Sequence, residues 1–156
     1  MKRFLVFAAV VALSLVASHV LLAQSNPLVG TWKLNPAKSK FTTGTPPKEE
    51  TATIQMVGDQ DQVTTNGTAS DGSPISMKYE VPDKGGVGKL LAGPFDGVSG
   101  KRIDDSTSEV SFMKGGNEML HGRMVVSKDG KTVRETVKGT NPLGNPVSGV
   151  LVWEKQ

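Results

Sequence analysis

Apolar side chains in this chain recur at every second residue. Beyond the first two dozen positions nothing sustains the spacing of an amphipathic helix. Ile75, Met77, Tyr79 and Val81 share one face of an extended segment, and Ser76, Lys78 and Glu80 take the other. Ala52, Ile54 and Met56 alternate with Thr51, Thr53 and Gln55. Leu120, Met124 and Val126 share a face, with Gly122 between them. Turn signals separate such runs: Gly58-Asp59, Asp71-Gly72, Gly85-Gly86, Asp104-Asp105, Gly115-Gly116, Asp129-Gly130 and Asn141 to Gly144. The pattern predicts strands near 28–35, 49–57, 62–69, 75–81, 97–103, 107–114, 118–127, 132–139 and 147–154, with the longest loops at 36–48 and 82–96. Hairpin after hairpin is an antiparallel meander, and so many strands in one short domain curl and close to remove their edges. The expected fold is therefore all-β, an antiparallel up-and-down β-barrel of about 8–10 strands, with a sandwich as the alternative.

The first residues read differently. Lys2 and Arg3 precede an apolar stretch from Phe4 to Ala17, and small residues follow, which is the layout of a secretory signal. A cut after Ala23 leaves bulky Leu21 three positions back, whereas a cut after Ser18 pairs it with Val16. An uncleaved anchor over Phe4 to Ala23 has the length of a membrane span, against which Ser18 and His19 count. The expectation is a signal peptide at 1–23 and a single domain at 24–156, periplasmic or secreted, and a monomer. Membrane contact is expected only through an uncleaved signal. Of 156 residues none is Cys, so an exported domain must stand on its core without disulfides. The 18 Lys+Arg against 15 Asp+Glu drop to near neutrality once Lys2 and Arg3 are set aside, so the charge gives little reason to expect nucleic acid.

Residues 28–41 read LVGTWKLNPAKSKF. Gly30-Thr31-Trp32 resembles the Gly-x-Trp signature on the first strand of lipocalins and fatty-acid-binding proteins. Val152-Trp153-Glu154-Lys155 is similar to the closing strand of the fatty-acid-binding group, and Ser127-Lys128-Asp129-Gly130-Lys131 to a late hairpin there. The resemblance, to a lipocalin-like (calycin-type) small secreted bacterial domain, covers about a third of the chain and implies a barrel around a small-molecule site. Gly30 is expected to admit a close backbone. Trp32 is expected to plug the closed end, its indole N–H taking one partner. Two departures matter. Thr42 to Lys48 reads TTGTPPK, which opposes the helical lid of the fatty-acid-binding group. That group holds a carboxylate with an Arg-x-Tyr pattern on its last strand, and Leu151 and Trp153 stand at those positions here. With the cation replaced by Leu151, a carboxylate ligand is poorly served.

Catalytic constellations are scarce. The chain has two His, and His19 lies in the leader; a Ser-His-Asp arrangement would depend on His121, which shares a strand face with Arg123 and Val125. The acids Asp104-Asp105 and Asp59-x-Asp61 fall in turn sequences, where Asp bonds its own backbone. Gly85-Gly86-Val87-Gly88-Lys89 lacks the leading Gly and the trailing Ser/Thr of a phosphate loop. It reads as a flexible hairpin connection whose Leu90 and Leu91 either cover the barrel mouth or pack as an ordinary loop anchor. No cofactor, no metal and no catalytic residue is expected. Glu135 is the exception among the charged residues, because it shares a face with Val133 and Val137. If that face points inward, Glu135 is paired, protonated or aimed at a ligand's donors. The expected function is non-enzymatic binding of a small hydrophobic or amphipathic ligand, lined by Trp32, Met56, Met77, Tyr79, Phe112, Met124 and Glu135. The alternative is a solid-core structural or protein-interaction module of the envelope.

Overall fold

The computed structural model describes residues 26–156, so the leader lies outside the described residues. Twelve strands run in chain order: β1 (Gly30–Leu34), β2 (Lys40–Thr43), β3 (Glu49–Val57), β4 (Gln60–Thr68), β5 (Pro74–Pro82), β6 (Gly85–Val87), β7 (Lys89–Ala92), β8 (Gly97–Arg102), β9 (Thr107–Lys114), β10 (Asn117–Val126), β11 (Thr132–Thr140) and β12 (Pro146–Lys155). They form one sheet in the order β6-β8-β9-β10-β11-β12-β1-β3-β4-β5-β7, with β2 joined to β12, and every pairing is antiparallel. Consecutive strands are neighbours almost throughout, and the first meets the last through Trp32↔Lys155 and Leu34↔Trp153. This is the up-and-down barrel that the alternation and the end motifs predict.

All nine expected strands are present. The extra three, β2, β6 and β7, lie in the segments expected as long loops. Residues 85–92 are the more consequential correction. They are no flexible hairpin connection but the stave that almost closes the barrel. Its first half pairs with β8 (Gly85↔Lys101, Gly86↔Gly100, Val87↔Ser99), and its second half crosses to β5 (Glu80↔Lys89, Tyr79↔Leu90, Lys78↔Ala92). Gly88 is the crossing point, its N–H donating to the Val98 carbonyl at 2.9 Å. A Cβ at Gly88 would collide with the Glu80 carbonyl oxygen and come within 2.7 Å of Val81 Cγ1, so the two edges meet only over glycine. Gly88→Val is expected to open this seam and cost about 2–4 kcal/mol, as overpacking against backbone does. A urea melt checks it, together with faster hydrogen exchange at the residue-88 amide. A melt unchanged within 0.5 kcal/mol would show that the seam does not hold the barrel.

Gly30 also differs from expectation. Its φ is +136°, and the atom a Cβ would meet first is Lys155 Cε at 2.9 Å, not another backbone. The signature glycine is required by its left-handed conformation and by the Lys155 stem beside it.

The core runs as one cluster from Leu28, Trp32 and Ile54 through Val63, Tyr79, Val98, Val110 and Phe112 to Val133, Val137, Leu151 and Trp153. Phe112 links the two halves, stacked on Phe95 at 5.0 Å and edge-on to Tyr79 at 5.2 Å. One end is closed by Trp32, which is 2 % exposed and donates its indole N–H to the Leu28 carbonyl at 2.7 Å. That end is partly polar. Asn26 Nδ2 donates to Asp61 Oδ2 at 2.6 Å, and Arg102 reaches Asp83 at 3.4 Å. Asp61, expected in a turn beside Asp59, is instead a buried residue near the start of β4. Burial holds its carboxyl above the usual range, against the pull of the Asn26 hydrogen bond.

Candidate functional site

Above the Trp32 plug the barrel does not fill. A cavity of about 670 Å³ lies between the sheet walls, within the ordinary range for small-molecule sites. Its deep wall comes from Leu28, Trp32, Ile54 and Val63, its flanks from Met77, Phe112, Leu120, Met124 and Leu151. The lining continues into the connecting segments at the other end, through Pro47, Ser70, Pro94 and Leu143, which form the mouth. The reason is geometric: inward positions there carry Thr65, Ala52 and Gly122, residues too small to meet across the interior.

Six of the seven residues expected to line a ligand site are brought together here: Trp32, Met77, Tyr79, Phe112, Met124 and Glu135. Met56 is not. It has the inward parity of Ala52 and Ile54, yet it is 44 % exposed beside the β3–β4 turn. Ile54 is the last inward residue of β3 to reach the core, and Asp61, opposite Met56, turns to Asn26. Leu90 packs on the core from β7, whereas Leu91 is exposed; neither lines the cavity.

Glu135 points inward from β11. Trp153, on the neighbouring strand, donates its indole N–H to Glu135 Oε2 at 2.9 Å. Gly122 on β10 makes the room: a Cβ there would stand 2.7 Å from Glu135 Oε1. Burial raises the Glu135 carboxyl above the carboxylate range, and the Trp153 bond only partly opposes this. A second carboxyl joins it. Glu50, near the start of β3, lines the same cavity, and burial, then the charge of Glu135, push it up to about 8. Sequence reasoning missed Glu50, although the parity of Ala52 and Ile54 extends back to it. The Tyr79 phenol is also raised, by burial and then by the charges of Glu135, Glu50 and Asp61.

His121 sits on the outer face, where Ser111 Oγ lies 3.0 Å from Nδ1 and Glu118 Oε2 4.0 Å from the same nitrogen. A Ser–His–acid relay needs its partners on opposite ring nitrogens, so this group is not arranged for one. Among the described residues no three His, Cys, Asp or Glu gather as metal ligands, and no helix is long and apolar enough to cross a membrane.

No family model matches the chain, and no curated protein matches it. Among solved structures it is similar to the zebrafish ileal bile acid-binding protein complexed with cholic acid. The identity is 15 %, the TM-score 0.43, and the alignment covers 83 % of this chain and 99 % of that one. Similarity at that level says nothing of a ligand here.

Proposed function

We propose that the chain is a non-enzymatic, extracytoplasmic binding domain that takes a small hydrophobic or amphipathic molecule into its barrel. The observation that carries this is the cavity itself: about 670 Å³, walled mainly by apolar side chains, with its polar groups at the mouth and at Glu50, Thr65, Ser76, Tyr79 and Glu135. A filled-core envelope module would need that volume occupied by side chains. The apolar walls supply the affinity by removing ligand surface from water, at about 25 cal/mol per Å². The few polar groups fix its orientation. The charged and apolar layout of residues 1–23 supports export, and the mixed surface charge supports a monomer.

Saturable uptake of an apolar fluorescent probe by the purified chain, with a bound mass in native mass spectrometry that organic extraction removes, is the expected result. A bare mass and no probe uptake by folded protein would overturn the reading. Met77→Glu places a charge on the flank of the cavity. It is expected to weaken probe binding by about tenfold or more, since an unpaired charge costs at least about 1.4 kcal/mol there.

A further inference from the structure

The large cavity is lined by three ionisable side chains, each from a different strand: Glu50 from β3, Tyr79 from β5 and Glu135 from β11. Among the described residues no Lys, Arg or His lines the cavity with them. The walls opposite bring Leu120, Gly122 and Met124 from β10, Val110 and Phe112 from β9, Leu151 and Trp153 from β12, Val63 and Thr65 from β4, and Trp32 from β1. Asp61, deeper at the closed end, is held by Asn26. The cation against this wall, Lys155, is exposed and sits with Nζ 5.1 Å from the Trp32 ring centroid; it does not line the cavity. Of the Glu50 and Glu135 oxygens, Glu135 Oε2 alone has a partner among the described residues, the Trp153 indole. The Tyr79 hydroxyl, on a residue 7 % exposed, has no hydrogen-bond partner among them. The free oxygens of Glu50, Tyr79 and Glu135 thus face one open space inside an otherwise apolar wall, and they mark the polar end of what enters it.

We infer that the ligand is an amphipathic cation, an ammonium group on an apolar body, with the ammonium seated between Glu50 and Glu135 and the body along Met77, Phe112 and Met124. This rests on the reading that the cavity takes a ligand. An ammonium brings three donors and one positive charge, which suits two carboxyls and a phenol oxygen. A carboxylate ligand would meet two acids and no cation, so its charge would go unpaired. A neutral alcohol brings a single donor. Seating the ammonium also changes a protonation state. Glu50 holds a proton near neutrality because burial has raised its carboxyl, and the arriving cation lets that proton leave to solvent. Neutral carboxyl and alkylammonium become carboxylate, bound alkylammonium and one released proton.

Three probes with the same chain decide it: decylamine, decanol and decanoate, titrated calorimetrically into the purified chain at pH 7 in buffers of different ionisation enthalpy. Decylamine should bind at least about tenfold more tightly than decanol, with decanoate weakest. Decylamine alone should release about one proton. Glu50→Gln and Glu135→Gln should each bring decylamine down to the affinity of decanol, while decanol changes by no more than about twofold. Tyr79→Phe keeps the buried ring and should weaken decylamine more than decanol, which leaves a test in hand if a Gln variant fails to fold. Decanol or decanoate binding as well as decylamine would overturn the cation and leave the cavity reading standing. If none of the three binds to folded protein, the cavity reading fails as well.

Discussion

Trp32→Ala is expected to remove about 4 kcal/mol of folding stability, a large part of what a domain of this size has to lose. Trp32 is the most completely buried large side chain described, and it closes the barrel at the end where the chain enters. Its truncation leaves a cavity among Leu28, Leu34 and Trp153, for which large-to-small changes of this kind cost about 3–5 kcal/mol. It also strands the Leu28 carbonyl, which the indole N–H holds at 2.7 Å. Leu28 in turn follows the Asn26 turn, where Val29 N–H donates to the Asn26 carbonyl and Asn26 reaches across to Asp61. One substitution therefore loosens the plug and the strap beneath it together. Trp32→Phe keeps most of the volume and loses the hydrogen bond, and should cost about 1–2 kcal/mol. Urea denaturation followed by the fluorescence of the remaining Trp153 measures both. A loss below about 1 kcal/mol for Trp32→Ala would mean that the closed end reorganises around the gap.

How much of this was legible follows from what alternation encodes. Period two reports which face a side chain takes, and it groups Met77 with Tyr79, Met124 with Leu120, and Glu135 with Val133 and Val137, all of which line the cavity. It does not report depth along the barrel, which is why Met56, with the right parity, ends exposed at the rim. Short staves leave no such mark. The segment Gly85-Gly86-Val87-Gly88 has one side chain beyond glycine, and it is a strand only because β8 and β5 stand on either side of it. Glu50 follows Lys48 and Glu49 and looks like part of a solvated charge run. Its inward direction comes from pairing with Gly67 on β4, whose missing side chain lets β3 lie close. Asp61 looked like a turn acid because its buried partner, Asn26, is 35 residues away.

Glu50→Gln is expected to flatten the pH dependence of stability and to remove the loss of about 3 kcal/mol that the parent undergoes between acid pH and pH 7. In the folded chain the Glu50 carboxyl titrates at about 8, against 4.5 for the group in water. Between those values the native state holds a proton that the unfolded chain has released. Stability therefore falls as pH rises through this window, by up to about 1.4 kcal/mol per pH unit, and levels off above it. Gln carries no titration, so its curve lacks that contribution. The two curves should run closest below pH 4.5, where the parent carboxyl is neutral in both states, and separate progressively up to about pH 8. The amide brings its own hydrogen-bonding demand, which shifts the variant's curve by a constant amount, so the slope is the deciding quantity. Urea midpoints at half-unit steps from pH 4 to 9 give it. Parallel curves would place Glu50 in contact with solvent or with a cation, and the cavity would then lack the desolvated carboxyl pair. Glu135→Gln should flatten the curve in the same sense, because burial raises that carboxyl too, while the amide oxygen still accepts the Trp153 indole N–H. The barrel thus gives up folding stability near neutral pH to keep two acids in an apolar interior, which is the pattern of a site held ready for a ligand, not of a wall optimised for packing.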